Sequence, residues 1–289
     1  MMGKKRRGLH PLIRGLLIVL LFSPLLLSCR KPSPPSGGKP GGPSPSTGTL
    51  YGIQRVIDGD TVVLSGGTHL RYLGINTPEK KEAYFENATL YNQKLVMGKT
   101  VRVEMDTQAY DTYGRLLGFV FVGNVNINVE LVRAGLAHVM IIPPNLKYAE
   151  DLQRAQEEAR LSGRGIWTLP EYQAPLKLTS FHYNPQGDES SDPNKEYLRL
   201  VNLTPQPLNL QGYILKDSDG HSLVFPALSL LPGYTVMVHS GKGENQTSPE
   251  HQQKIYWQSD VPIWNNDGDE LQLFDAKGKL ILRRSYGRG

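Results

Sequence analysis

From residue 176 to the C-terminus the chain repeats one pattern: strand-length apolar runs separated by turn signals, with no helical period between them. The runs fall at 176–183, 196–202, 213–216, 222–225, 234–239, 271–274 and 280–286, punctuated by Asp219-Gly220, Pro232-Gly233 and Lys277-Gly278. Strands this short bury a face only by pairing side by side and stacking sheet on sheet. The pattern therefore predicts an all-β sandwich over 176–289.

The preceding half reads differently. Short runs at 50–57, 61–64 and 69–75 are rich in β-branched or large apolar residues and are broken by Asp-Gly and Gly-Gly turns. A helical pattern over 83–97 stops at Gly98, and further strands are expected at 101–105 and 116–122. A short helix over 129–134 ends at Gly135. A longer one over 146–161 has Leu152, Ala155, Ala159 and Leu161 on or near one face and closes at Gly163. Strands first and helices late predict a small closed β-barrel with helical additions over 50–170.

Before residue 50 there is nothing to bury. Residues 29–49 are dominated by Pro, Gly and Ser and read as a linker. Residues 1–28 read as an export signal: Lys4, Lys5, Arg6, Arg7 and Arg14 precede an almost unbroken apolar run over 16–27, short for a membrane span. Leu26-Leu27-Ser28-Cys29 resembles the lipobox of bacterial lipoproteins, although Leu27 stands where a smaller residue is usual. The resemblance implies that Cys29 is acylated and holds an exported protein to a membrane. An ordinary cleaved signal, or an uncleaved anchor with an incidental cysteine, is the alternative. Cys29 is the only cysteine, so no internal disulfide is available. The net charge of +5 equals the five basic residues of 1–28, so the remainder is neutral. Attraction to nucleic acid must then come from local clusters. Residues 176–289 hold 11 basic and 13 acidic residues, too few cations to bind DNA by net charge.

The chemistry concentrates in three segments: VIDGDT at 56–61, RYLGINTPE at 71–79 and DTYGR at 111–115. Alone, Asp58-Gly59 between apolar runs is an ordinary hairpin turn. Together the segments supply what cleavage of a phosphodiester needs. The substrate is an anion that repels nucleophiles, so a divalent cation is used to polarise it. Hard cations take oxygen ligands, and Asp60, Asn76 and a backbone carbonyl near Thr77 offer them. Glu79 can orient or deprotonate water. Arg71 and Arg115 suit phosphate oxygens, because a guanidinium donates two parallel hydrogen bonds and stays charged. The seven histidines show no metal-ligand spacing, and Asp217-Ser218-Asp219-Gly220 reads as a turn.

Followed by LVRAGLAHV at 131–139 and GRGIW at 163–167, these motifs resemble the staphylococcal nuclease (thermonuclease) family in order and spacing. The resemblance implies an OB-fold barrel with helices, calcium dependence, and hydrolysis of DNA and RNA. By motif position it implies that Asp60 ligates calcium with Asp58 as its acidic neighbour. It also makes Thr77 a carbonyl ligand, Glu79 the base, Arg71 and Arg115 the phosphate binders, and Tyr113 a residue beside the nucleotide. Arg133 and Trp167 match positions read as structural. The chain departs at Asn76, where the family often has a second ligand aspartate. An asparagine keeps the oxygen and forgoes a charge–charge attraction of roughly 4 kcal/mol gross at 4 Å. It also departs at Ile141 and Pro143, where tyrosines near the base are known in the family.

The segments EYLRLVN at 196–202, LNLQGYILKD at 208–217 and IWNNDGD at 263–269 resemble the lamin-tail domain, an immunoglobulin-like sandwich. Trp264-Asn265-Asn266-Asp267-Gly268-Asp269 is read as a turn entering a strand. Such domains accompany exported bacterial nucleases, which implies a targeting role toward a surface partner. The whole chain is thus expected to be an exported calcium-dependent endonuclease. The alternative is a surface lipoprotein whose degenerate nuclease domain binds nucleic acid or protein without cutting it.

Overall fold

The computed structural model describes residues 48–186 and 191–287. The expected signal, Cys29 and nearly all of the linker lie outside the described residues. No helix of the described residues is long and apolar enough to cross a membrane.

Strands β1 (Thr49–Val56), β2 (Thr61–Leu64) and β3 (His69–Tyr72) form an antiparallel meander. Then come β4 (Ile75–Asn76), α1 (Phe85–Val96), β5 (Thr100–Glu104), β6 (Leu116–Val122) and β7 (Val125–Asn126). After them follow α2 (Ile127–Arg133), β8 (His138–Val139) and α3 (Ala149–Leu161). β1 pairs with β5 and β5 with β6, while a parallel pairing of β3 with β6 closes the ring. Closure removes the sheet edges, as the expected OB-type barrel requires. Leu70, Tyr72, Phe119 and Val120 fill it, and Leu131 and Leu152 seal it from the helices.

Two local differences from the sequence expectation have physical causes. The run over 69–75 breaks into β3 and β4 at Gly74, whose φ is +75° and whose added Cβ would lie 2.4 Å from Leu152 Cδ1. The bend frees Ile75 and Asn76 to pair with Val139 and His138 of β8. The last helix starts at Ala149 rather than at 146, because Tyr148 before it is left-handed at φ 61°.

The C-terminal half is all β, as expected. Its strands are β9 (Leu176–His182), β10 (Tyr197–Asn202), β11 (Leu208–Asn209), β12 (Ile214–Lys216), β13 (Ser222–Val224) and β14 (Ser229–Leu230). β15 (Thr235–His239), β16 (Gln253–Tyr256), β17 (Gly268–Phe274) and β18 (Leu280–Gly287) complete it. Sheet β16-β15-β10-β9 and sheet β13-β12-β17-β18 enclose Leu198, Leu200, Leu215, Val236, Trp264 and Leu271. The segment entering β17 is a turn: Asp269 accepts from Ser218 N–H, Ser218 Oγ, Asn265 N–H and Glu270 N–H.

The halves share buried surface. Val201 and Leu203 pack with Ala159, Ile166, Trp167 and Tyr172. Ile141 N–H donates to the Gly233 carbonyl at 2.7 Å, and Gln153 Nε2 donates to the Pro232 carbonyl at 2.7 Å. Gly233 has φ +76°, and an added Cβ would stand 2.5 Å from Val139 Cγ1. Residues Pro45–Gly289 accordingly form one compact unit.

Candidate active site

The loop between β1 and β2 carries the first acidic pair. It is closed by Ile57 and Asp58 N–H groups on the Thr61 carbonyl. Asp58 Oδ1 accepts from Asp60 N–H at 3.0 Å, a turn that an aspartate forms with its own backbone. Gly59 is required by crowding: an added Cβ would lie 2.7 Å from both Ala88 Cβ and Thr77 Cγ2. Helix α1 holds the loop through Asn92, whose Nδ2 donates to the Asp58 carbonyl and whose Oδ1 accepts from Tyr72 Oη.

Asp60 is buried, and both of its oxygens are engaged. Oδ2 accepts from Thr77 N–H at 2.7 Å and Thr77 Oγ1 at 3.0 Å. Oδ1 faces Arg71 Nε at 3.1 Å and accepts from Thr61 Oγ1. Arg71 spends the rest of its fork inward: Nη1 donates to the Tyr72 and Ile75 carbonyls, and Nη2 donates to Asn76 Oδ1 at 2.9 Å. Asn76 is buried too, and its Nδ2 turns to the Thr77 carbonyl at 3.3 Å.

Sequence reasoning passed over the partner behind Asn76. His138 is fully buried and sits opposite Asn76 in the β4–β8 pair. Its Nδ1 faces the Val139 carbonyl at 3.0 Å and so carries the proton, which leaves Nε2 to accept from Asn76 Nδ2 at 3.5 Å. Burial lowers the imidazole to about 3, against the pull of the Val139 carbonyl, and His138 stays neutral. Taken as one of seven scattered histidines it gave no signal. Only the pairing of two-residue strands reveals it.

Glu79 stands on the exposed rim, its N–H held by Glu82 Oε2 at 2.7 Å. Its carboxyl is raised above the usual range by partial desolvation first and by the charge of Asp60 next, with Arg71 opposing. Asp58 is raised for the same two reasons in the same order. The three carboxylates therefore share one side of the barrel.

Arg115 closes a second turn, in which Asp111 Oδ1 accepts from Tyr113 and Arg115 N–H groups and Gly114 takes φ +75°. Asp111 Oδ2 fixes Arg115 Nε at 2.6 Å. No other hydrogen bond of its guanidinium is found among the described residues. Tyr113 lies beside it, 69% exposed, with the Arg115 guanidinium 5.6 Å from its ring centre. Arg71 pairs with Leu117, so the turn that carries Arg115 leads into the strand beside β3.

The site thus gathers Asp58, Asp60, Asn76, Thr77, Glu79, Arg71 and Arg115 around one rim, with Tyr113 at its edge. No three His, Cys, Asp or Glu side chains among the described residues converge as a metal site. The oxygen donors suited to a hard cation are one buried carboxylate, one amide and one carbonyl, with Glu79 nearby. Ile141, where the family resemblance sets a tyrosine near the base, is buried beneath the C-terminal half.

A closed five-stranded barrel with acidic, amide and guanidinium groups on one rim defines an OB-fold-like domain. Residues 69–169 match the staphylococcal nuclease homologue family, and residues 170–288 match the lamin tail domain. A thermonuclease of Staphylococcus hyicus is 31% identical over 161 residues, which cover 53% of this chain and 95% of that protein. A thermonuclease of Staphylococcus intermedius is 35% identical over 129 residues, covering 42% of this chain and 77% of that protein. Endonuclease YncB of Bacillus subtilis is 34% identical over 131 residues, 42% of this chain and 62% of that protein. The chain belongs to the staphylococcal nuclease family and joins its nuclease domain to a lamin tail domain.

Proposed function

We propose that this protein is a calcium-dependent endonuclease that hydrolyses phosphodiester bonds of DNA or RNA. One observation carries the reading: Asp60 and Glu79 feel each other's charge on the rim where Arg115, with Nη groups uncommitted, stands beside Arg71. Asp60, Asn76 and the Thr77 carbonyl would hold the cation, which supplies charge to the phosphate and to a nearby water.

The chain's own groups do the rest. Glu79, exposed and raised, accepts a proton from the attacking water. Arg115 offers two N–H groups to non-bridging phosphate oxygens and meets the charge that grows on them. Four of the five N–H groups of Arg71 are taken by Asp60, Asn76 and two carbonyls, so its first task is to hold the acidic loop against β4. A two-pronged grip on phosphate by Arg71 requires part of that set to loosen, whereas its remaining Nη2 N–H can reach an oxygen as it stands. Asn76 is oriented by His138 behind it and by Arg71 in front. Reversing its amide would set an N–H₂ against Arg71 Nη2 and its oxygen against the Thr77 carbonyl. Only in that reversed orientation would Asn76 and Thr77 both turn an oxygen toward a bound cation.

The test is a gel assay of the full chain on single-stranded DNA and on RNA, with millimolar calcium or with chelator. Cutting is expected with calcium and none with chelator. Binding without cutting under both conditions would favour a surface protein with a degenerate site, the second reading that Asn76 supports.

Export and lipid anchoring through Cys29 are part of the same proposal. Their support is the basic stretch, the apolar run and the Leu-Leu-Ser-Cys sequence. In cells fed an alkyne-tagged fatty acid, the wild-type chain should carry label in the membrane fraction, and Cys29→Ala should carry none. Label on both would refute the anchor.

A further inference from the structure

The outer face of sheet β16-β15-β10-β9 turns toward the nuclease half. Along β10 the core-facing Leu198 and Leu200 alternate with Tyr197, Arg199 and Val201. Val201 packs on Trp167 and Tyr172 of the nuclease half, which fixes the direction in which Arg199 and Tyr197 point. The pairing places Met237 and Lys254 in one row with Arg199, and His182, His239 and Tyr256 in one row with Tyr197. All seven side chains of these two rows are half-buried.

Three features set this face apart. First, its four strands contain Lys177, Arg199 and Lys254 and no aspartate or glutamate, although residues 176–289 as a whole are net acidic. Second, Arg199 has no carboxylate partner among the described residues. Its Nε is buried without a hydrogen-bond partner, and its Nη2 meets only Met237 Sδ at 3.5 Å. An ion left half-buried and unpaired is costly and signals a missing counter-ion. Third, the aromatic row is ordered: His182 stacks on Tyr197 at 4.3 Å between ring centres, and His239 stacks on Tyr256 at 5.2 Å. The row also touches the candidate active site. Tyr197 lies near enough to Tyr113 for the two phenols to interact, and Arg199 is close enough to Arg71 for their charges to repel.

We propose that this sheet face is a single-stranded nucleic-acid track continuous with the active site, on which Arg199 and Lys254 hold backbone phosphates and the Tyr197 row receives bases. It rests on the nuclease reading in taking the strand to enter from Arg71 and Arg115. Charge complementarity and continuity with Tyr113 select a nucleic-acid strand over an apolar or acidic protein partner. The lamin tail half is then part of the substrate-binding surface, and its net negative charge is carried elsewhere.

The test uses the full chain, chelator to prevent cutting, and a fluorescein-labelled 20-nucleotide thymidine strand followed by anisotropy at several salt concentrations. Arg199→Gln is expected to weaken binding by about fivefold or more and to flatten the slope of log K against log salt by about 0.7, one phosphate contact on a single strand. Lys254→Gln, at an outward position that folding tolerates, should act in the same direction. Arg283→Gln, on the other sheet, should match wild type. Wild-type affinity and slope in both Arg199→Gln and Lys254→Gln, or no binding of the strand by the parent chain, would overturn the track. Loss of affinity in those variants, with no cutting when calcium replaces chelator, would sink the nuclease reading and leave the track standing.

Discussion

Asn76→Asp is the most informative single change, because its effect has opposite signs with and without a cation. In the protein as it stands, Asn76 Oδ1 accepts from Arg71 Nη2, and Nδ2 donates toward the Thr77 carbonyl and His138 Nε2. The introduced carboxylate keeps the first bond and strengthens it. Its second oxygen then faces two acceptors, the Thr77 carbonyl and a histidine nitrogen whose proton is on the other side. Two buried acceptors lose their donor, at about 1–3 kcal/mol. With a cation between that oxygen and the carbonyl, repulsion becomes coordination, and the added charge contributes roughly 4 kcal/mol gross. Desolvation offsets much of this, so calcium binding should tighten about 10- to 100-fold. Calorimetric titration of the full chain with calcium reads the affinity, and melting in chelator and in millimolar calcium reads the stability. The expected result is a lower Tm than wild type in chelator and a larger calcium-dependent rise. An unchanged or weaker calcium affinity, with an unchanged Tm in chelator, would refute the arrangement of Asp60, Asn76 and Thr77 around one ion.

The two arginines should separate by stability and rate. Arg71→Met strips partners from buried Asp60 and Asn76 and should cost about 3–5 kcal/mol in urea unfolding, whereas Arg115→Met, one-third exposed, should cost less than about 1 kcal/mol while lowering the cleavage rate about a hundredfold or more. Glu79→Gln should lower the rate by a similar factor, and threefold or less for both Arg115 and Glu79 would contradict their roles. The Glu79 carboxyl is raised by partial burial and by Asp60, and the base acts only when ionised. NMR titration without calcium should therefore show it protonating above the ordinary glutamate range as pH falls, and Asp60→Asn should bring that value down. Gly233→Ala forces a left-handed backbone and a contact on Val139, and should destabilise the chain by about 1–3 kcal/mol by denaturant melting.

Much of the architecture was legible in the residues. The expected bounds of β2 and β6 match the observed ones, and the barrel and the sandwich follow from strand-length runs and their turns. What escaped was long-range. β16 holds only Ile255 and Tyr256 as large apolar residues, and it pairs in parallel with β15, so no hairpin turn announces it. The segments at 56–61, 71–79 and 111–115 named the rim residues, because a charged site keeps its residue types at fixed spacings. They did not show that Arg71 turns inward, since four of its acceptors become neighbours only when β3, β4 and the acidic loop meet. Net charge said nothing of placement in the C-terminal half, because a sum hides how Arg199 and Lys254 fall on one face.

The seam at Ile141, Gly233, Trp167 and Val201 also bears on how such proteins diversify. Beads joined by a flexible string can be shuffled freely, since each carries its own finished surface. Here the wall of the nuclease half is completed by residues encoded later in the chain: Val201 covers Ala159, Ile166 and Trp167, and Gly233 covers Val139 and Ile141 from more than 90 positions away. A truncation after Tyr172 would bare apolar side chains that a free-standing enzyme keeps covered, so the tail cannot be trimmed or exchanged without re-dressing that wall.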